Sequence, residues 1–138
     1  MSIEVIPLGA GQDVGRSCIL VIMGGKRILF DVGMHMVHPQ RFPDFSQLVS
    51  PLQDLTQYID LVLVSHFHLD HMGALPFLTE IVGYSGPLVM THPTKAIIPL
   101  MLEDFRKIQL NSSGAAKHDN YEYTQEMIAK CISKISIV

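Results

Sequence analysis

Apolar residues in this chain come in short runs, separated by glycine, proline and polar clusters. Ile3 to Leu8, Ser17 to Ile22 and Arg27 to Asp31 are short stretches of apolar, strand-forming residues. Met23-Gly24-Gly25-Lys26 lies between the last two and predicts a hairpin turn, because Gly-Gly supplies positive φ angles. Leu61-Val62-Leu63-Val64 and Leu88-Val89-Met90 predict two further strands. Between them the period changes. Ser50-Pro51 fits an N-cap and first helical residue, with a short helix running to about Tyr58. Ala74 to Val82 fits one amphipathic helix, with Gly83 at its C′ position. Thr94 to about Gln109 predicts a helix with Ala96, Ile97, Leu100, Met101, Phe105 and Ile108 on one apolar face. Pro99 then belongs in its first turn or at a kink. Thr124 caps a last helix carrying Met127, Ile128, Cys131 and Ile132. Lys134 to Val138 reads as the start of a strand, with no closing turn or polar tail. Pro39 to Pro51 is a proline-interrupted surface loop with Phe42 and Phe45 as anchors, and Asn111 to Asn120 is a polar loop with His118 at the surface. Strands in pairs followed by strand–helix units predict α/β layers.

Composition narrows this picture. A chain of 138 residues is at most one domain, and 48% hydrophobic with 17% charged residues reads as globular. The formal charge of −3 excludes the basic footprint of a self-sufficient nucleic-acid binder. Cys18 and Cys131 form no CxxC, which excludes a disulfide scaffold and a cysteine zinc site. A reducing compartment is compatible with this usage. No signal peptide or apolar run of membrane-spanning length is present, so no membrane partner is expected.

The densest chemistry lies in Ser65-His66-Phe67-His68-Leu69-Asp70-His71, at the end of an apolar strand and on the turn into a helix. Imidazole nitrogen and carboxylate oxygen bind zinc at about 2.0–2.2 Å. His66 and His68, two residues apart, point the same way in extended backbone and suit one metal. Asp70 and His71 lie past the bend and suit a second. A pair of metals about 3.5–4 Å apart can generate hydroxide and stabilise attacking and leaving oxygens. The competing reading, a polar loop with merely hydrogen-bonded histidines, suits a lone histidine better than this cluster. Other motifs are weaker. Gly9 to Gly15 has neither dinucleotide-loop nor P-loop spacing and reads as a glycine turn between strands. Met34-His35-Met36-Val37-His38 has soft-metal donors, but a loop with methionine packed inward accounts for it. Asp31, at the end of its strand, reads by itself as a cap of the next turn. By its position at the end of the Leu88–Met90 strand, His92 reads either as a further metal ligand or as a hydrogen-bonding residue near the site.

Leu8-Gly9-Ala10-Gly11-Gln12-Asp13-Val14-Gly15-Arg16-Ser17-Cys18 and the histidine motif together resemble the β-CASP nucleases of the metallo-β-lactamase superfamily. Arg41-Phe42-Pro43-Asp44-Phe45-Ser46, Val82 to Pro87 and Met90 to Thr94 resemble the branch that serves in the Integrator complex, with the cleavage and polyadenylation factors as near relatives. The resemblance is dense from Pro7 to Lys107 and weaker from Asn111 to Tyr123. It implies the N-terminal part of an αββα sandwich, and because the family continues far past Val138 the chain is taken as an N-terminal fragment or a shortened isoform, with the β-CASP domain and later ligands absent. It implies a zinc-dependent RNA endonuclease that cuts nascent transcripts, small nuclear RNA among them, by metal-hydroxide attack on the phosphodiester. His66 and His68 then bind the first of two zinc ions, and Asp70 and His71 bind the second and act in catalysis. Asp31 matches the family's first motif, where the carboxylate stands behind the metal histidines and orients them. Val32 and Met72 stand where the family usually has cysteine. The implied partners are RNA and other subunits of a nuclear complex, including a β-CASP paralogue. The implied location is the nucleus, with the cytoplasm left open. Alone, this chain is expected to be inactive. Two alternatives remain: a non-catalytic truncated interaction module, and a thioester or lactone hydrolase on the same fold.

Overall fold

The computed structural model describes residues 1–37, 40–48, 54–111 and 122–138. The expected Ser50-Pro51 helix start, His38 and most of the Asn111–Asn120 loop lie outside these residues. The described strands are β1 (Ile3–Pro7), β2 (Ile19–Met23), β3 (Lys26–Phe30), β4 (Leu61–Leu63), β5 (Leu88–Met90) and β6 (Ile135–Ile137), forming one sheet in sequence order. β1, β2 and β3 pair antiparallel, and β3 to β6 pair parallel. Met23 faces Lys26 across the first hairpin, with Gly24 and Gly25 at φ 57° and 77° as the turn requires.

One row of side chains crosses all six strands: Ile6, Leu20, Leu29, Val62, Leu88 and Ile135. The last five of these are buried in a core shared with Leu75, Leu78, Ile98, Leu102 and Ile128 of the helical layer. The neighbouring rows point the other way, because strand side chains alternate. They carry Val5, Val21, Ile28 and Leu61, then Ile19, Phe30, Leu63 and Val89. Among the described residues no helix covers this second, apolar face, where Val5 is 58% and Phe30 40% exposed.

The helices are α1 (Leu55–Tyr58), α2 (Leu69–Met72), α3 (His92–Asn111) and α4 (Gln125–Ser133). The Asp54 carboxylate caps α1, and the Thr124 hydroxyl caps α4 by accepting from the Met127 N–H at 3.1 Å. None of the described helices is long and apolar enough to cross a membrane.

Two sequence expectations are corrected. The helix expected over Ala74 to Val82 is present from Leu75, but over Phe77–Val82 it is wound wider, as a π-helix. The Thr79 hydroxyl donates to the Leu75 carbonyl there, competing for a main-chain acceptor. Gly83 closes this turn at φ 90°, as its position predicted. In α3 the buried residues are Thr94, Ile98, Leu102 and Phe105, while Leu100 is 73% and Ile108 52% exposed. Apolar residues surround this helix, so two stripes fit the 3.6 period, and docking on the sheet chose between them. Pro99 lies in the helix interior, past the first turn, leaving the Lys95 carbonyl without its helical donor.

Candidate metal centre

Parallel pairing brings the C-terminal ends of β3, β4 and β5 to one edge of the sheet, where open α/β sheets carry their ligands. Asp31 leaves β3, Ser65 and His66 follow β4, and Thr91 and His92 follow β5. Asp31 takes φ 61°, a left-handed conformation that aspartate tolerates better than most residues. Main-chain bonds lock it to the motif. The Asp31 N–H donates to the Leu63 carbonyl at 2.8 Å, and the Val32 N–H to the His71 carbonyl at 2.8 Å. The Ser17 N–H donates to the Asp70 carbonyl and the Gly33 N–H to the Ser17 carbonyl, each at 2.8 Å. A Cβ on Gly33 would lie 1.7 Å from the Asp70 carbonyl oxygen, so only glycine lets the segment after β3 meet α2 this closely.

The motif turns at His68, which is extended at φ −68°, ψ 144° and precedes α2. His66 Nε2 and His68 Nδ1 face each other at 3.0 Å. Asp70 and His71 lie on α2, with His71 Nε2 3.4 Å from Asp70 Oδ2. The His66 and His71 rings are 4.1 Å apart, so the two pairs adjoin. Behind them the Asp31 carboxylate accepts from His71 Nδ1 at 2.8 Å, from the Ser65 N–H at 2.7 Å and from the Ser65 hydroxyl at 2.8 Å. Cys18 lies beneath, and burial, then the Asp31 charge, push its thiol far above the ordinary range.

The donor set suits zinc in kind. Two nitrogens on one tetrahedral zinc stand about 3.3 Å apart, given bonds of about 2.0–2.1 Å. The His66–His68 separation of 3.0 Å therefore needs only a slight opening. Among the described residues, no group of three or more histidine, cysteine, aspartate or glutamate side chains has the arrangement of a metal site. Each pair supplies two donors, and a structural or catalytic zinc takes three or four from protein.

His66, His68, Asp70 and His71 thus come together in one cluster, where the His66 ring lies 4.1 Å from that of His71 and 4.7 Å from that of His68, with Asp31 behind His71. His92 stands exposed at the start of α3. Met34 is fully buried, as the inward-packed reading expected, and Met36 is 42% exposed. Val32 and Met72 are buried apolar residues. Sequence reasoning passed over Ser65. Its signal was only a hydroxyl beside His66, too common to single out.

A family model described as the metallo-beta-lactamase superfamily matches residues 11–97. The chain belongs to that superfamily. Integrator complex subunit 11 of Danio rerio is 56% identical over 135 residues, covering 96% of this chain and 22% of the relative. Cleavage and polyadenylation specificity factor subunit 3-II of Arabidopsis thaliana is 44% identical over 137 residues, covering 98% and 22%. The chain spans about a fifth of the length of these relatives. Among solved structures, the dizinc quorum-quenching lactonase AidC aligns at TM-score 0.51 and 16% identity, over 88% of this chain and 42% of that one. That likeness establishes the fold alone. The α/β class and the family read from the glycine loop and histidine motif are borne out.

Proposed function

We propose that this chain is the N-terminal part of the catalytic domain of a zinc-dependent RNA endonuclease, a subunit of a nuclear complex that cuts nascent transcripts such as small nuclear RNA. The observation that carries this reading is the 56% identity to Integrator complex subunit 11 of Danio rerio along 96% of the chain. His66 and His68 hold one ion, Asp70 and His71 the other, and further ligands come from outside residues 1–138. When bound, such an ion pair supplies an acidified water and Lewis-acid stabilisation of the oxygens at phosphorus. The chain's own part is to present the lone pairs. Asp31 accepts the His71 Nδ1 proton and turns Nε2 toward Asp70. The uncovered apolar sheet face receives the second sheet of an αββα sandwich, since an exposed apolar layer of this extent marks an interaction surface. With a formal charge of −3, the chain leaves much of the attraction for RNA phosphates to partner subunits, a β-CASP paralogue among them.

The test is end analysis of RNA cut by the full-length protein, with and without a chelator. A 3′-hydroxyl and a 5′-phosphate are expected, and a 2′-deoxy nucleotide at the scissile position still permits cutting. A 2′,3′-cyclic phosphate or chelator-resistant cutting would remove the metal reading. Hydrolysis of a thioester or lactone without RNA cleavage would move the chain to another hydrolase class.

A further inference from the structure

We propose that Ser65 is a positioning residue, whose hydroxyl relays the Asp31 carboxylate to His66 and fixes that imidazole with its proton on Nδ1 and its lone pair on Nε2. The proton positions follow from acceptor chemistry. A carboxylate only accepts, so the Ser65 hydroxyl donates its single proton to Asp31 Oδ2 at 2.8 Å. The oxygen of that hydroxyl then has only lone pairs left for His66 Nδ1, 2.9 Å away. His66 must therefore donate from Nδ1, and Nε2 is the nitrogen left free. The bond made by one ring nitrogen decides the protonation of the other. Nε2 is also the atom that faces His68, on the metal side of the ring. The Ser65 N–H anchors the relay by donating to Asp31 Oδ1 at 2.7 Å.

Asp31 thus sets two imidazoles at once, His71 directly and His66 through Ser65. Its left-handed backbone at φ 61° is consistent with a conformation kept for the site, since such strain persists where surrounding structure imposes it. The inference rests on the proposed metal-binding role of His66, but its first readout is metal-free.

The experiment is nitrogen-15 NMR of histidine-labelled protein, purified as the full chain without metal, followed by zinc titration. Wild type is expected to show His66 in the Nδ1–H form. Ser65→Ala is expected to lose that preference and to bind zinc roughly tenfold more weakly, near the low end for lost supporting bonds because Ser65 is exposed and water can stand in. Ser65→Thr keeps a hydroxyl and is expected to restore both. An Nε2–H form of His66 in wild type overturns the relay without any variant. So does a folded Ser65→Ala protein that keeps the Nδ1–H form, because His68 would then be the group that sets it. An Nδ1–H wild type that binds no zinc would support the relay and sink the metal reading instead.

Discussion

Asp31 and Gly33 lie two residues apart and serve the site in opposite ways, one by its side chain and one by lacking it. Asp31→Asn keeps the size but replaces an acceptor by an amide that can present N–H to His71 Nδ1. Zinc affinity of the full-length protein should fall by roughly 10–100-fold, read by competition with a chelating dye. Unchanged affinity would reduce Asp31 to a turn residue. Gly33→Ala acts on the backbone. Its Cβ would meet the Asp70 oxygen at 1.7 Å and the Ser17 nitrogen at 2.5 Å, and neither main-chain atom can swing away. The expected cost is about 3 kcal/mol, the upper end of overpacking, read by denaturant unfolding. A variant as stable as wild type would mean that the Asp31 and Asp70 segments are not pinned together.

At the level of elements, α3 separates burial from apolarity. Ile98 is fully buried and Leu100 is 73% exposed, although both are large aliphatic residues. Ile98→Ala should cost about 2–5 kcal/mol, and Leu100→Ala no more than about 0.5 kcal/mol. Equal costs would return the helix to the stripe that periodicity first suggested. The same helix carries an ion pair with a defined pH window. Arg106 donates to Glu103 at 2.7 and 2.8 Å. The Arg106 hydrogen bond holds the Glu103 carboxyl down, from an ordinary 4.5 to about 2. A depressed folded-state value stabilises above the unfolded one and is lost as pH falls through the folded one. Glu103→Gln should therefore flatten the loss of stability between about pH 4.5 and pH 2. The pair is solvent-screened, so the change should be small and should shrink further in salt. An unchanged pH profile would show that the pair contributes nothing.

For the whole molecule, the described helices cover one face of the sheet. Helices cover Leu20, Leu29, Val62 and Leu88, while Val5 and Phe30 face outward beside Ile3 at 60% exposure. The 138-residue chain by itself should bind an apolar dye and self-associate, as large exposed apolar patches do. Val5→Lys should weaken both effects in that chain at a stability cost within about 0.5 kcal/mol. In the full-length protein the same change should destabilise by more than about 1 kcal/mol, if a second sheet covers the face. Equal tolerance in both would leave the face bare and remove the sandwich.

The sequence by itself determined the elements whose signals are local. Gly24-Gly25 carries its own turn, Thr124 its own cap, and Leu61 to Leu63 its strand. It also placed the donors of the motif within six residues of one another, so that they gather at the turn from β4 into α2 whatever the rest of the chain does. The family was legible for the same reason, since its motifs are contiguous. Tertiary structure decided what depends on distant neighbours. The stripe of α3 that is buried depends on how the helix lies on the sheet, and local apolarity offered two choices. The π winding of Phe77–Val82 widens a helix that periodicity alone would continue at the α pitch. Most of all, Asp31 is 34 residues from Ser65 and 40 from His71. Parallel pairing of β3 with β4 brings them together, and no periodicity in the chain encodes a hydrogen bond over that separation.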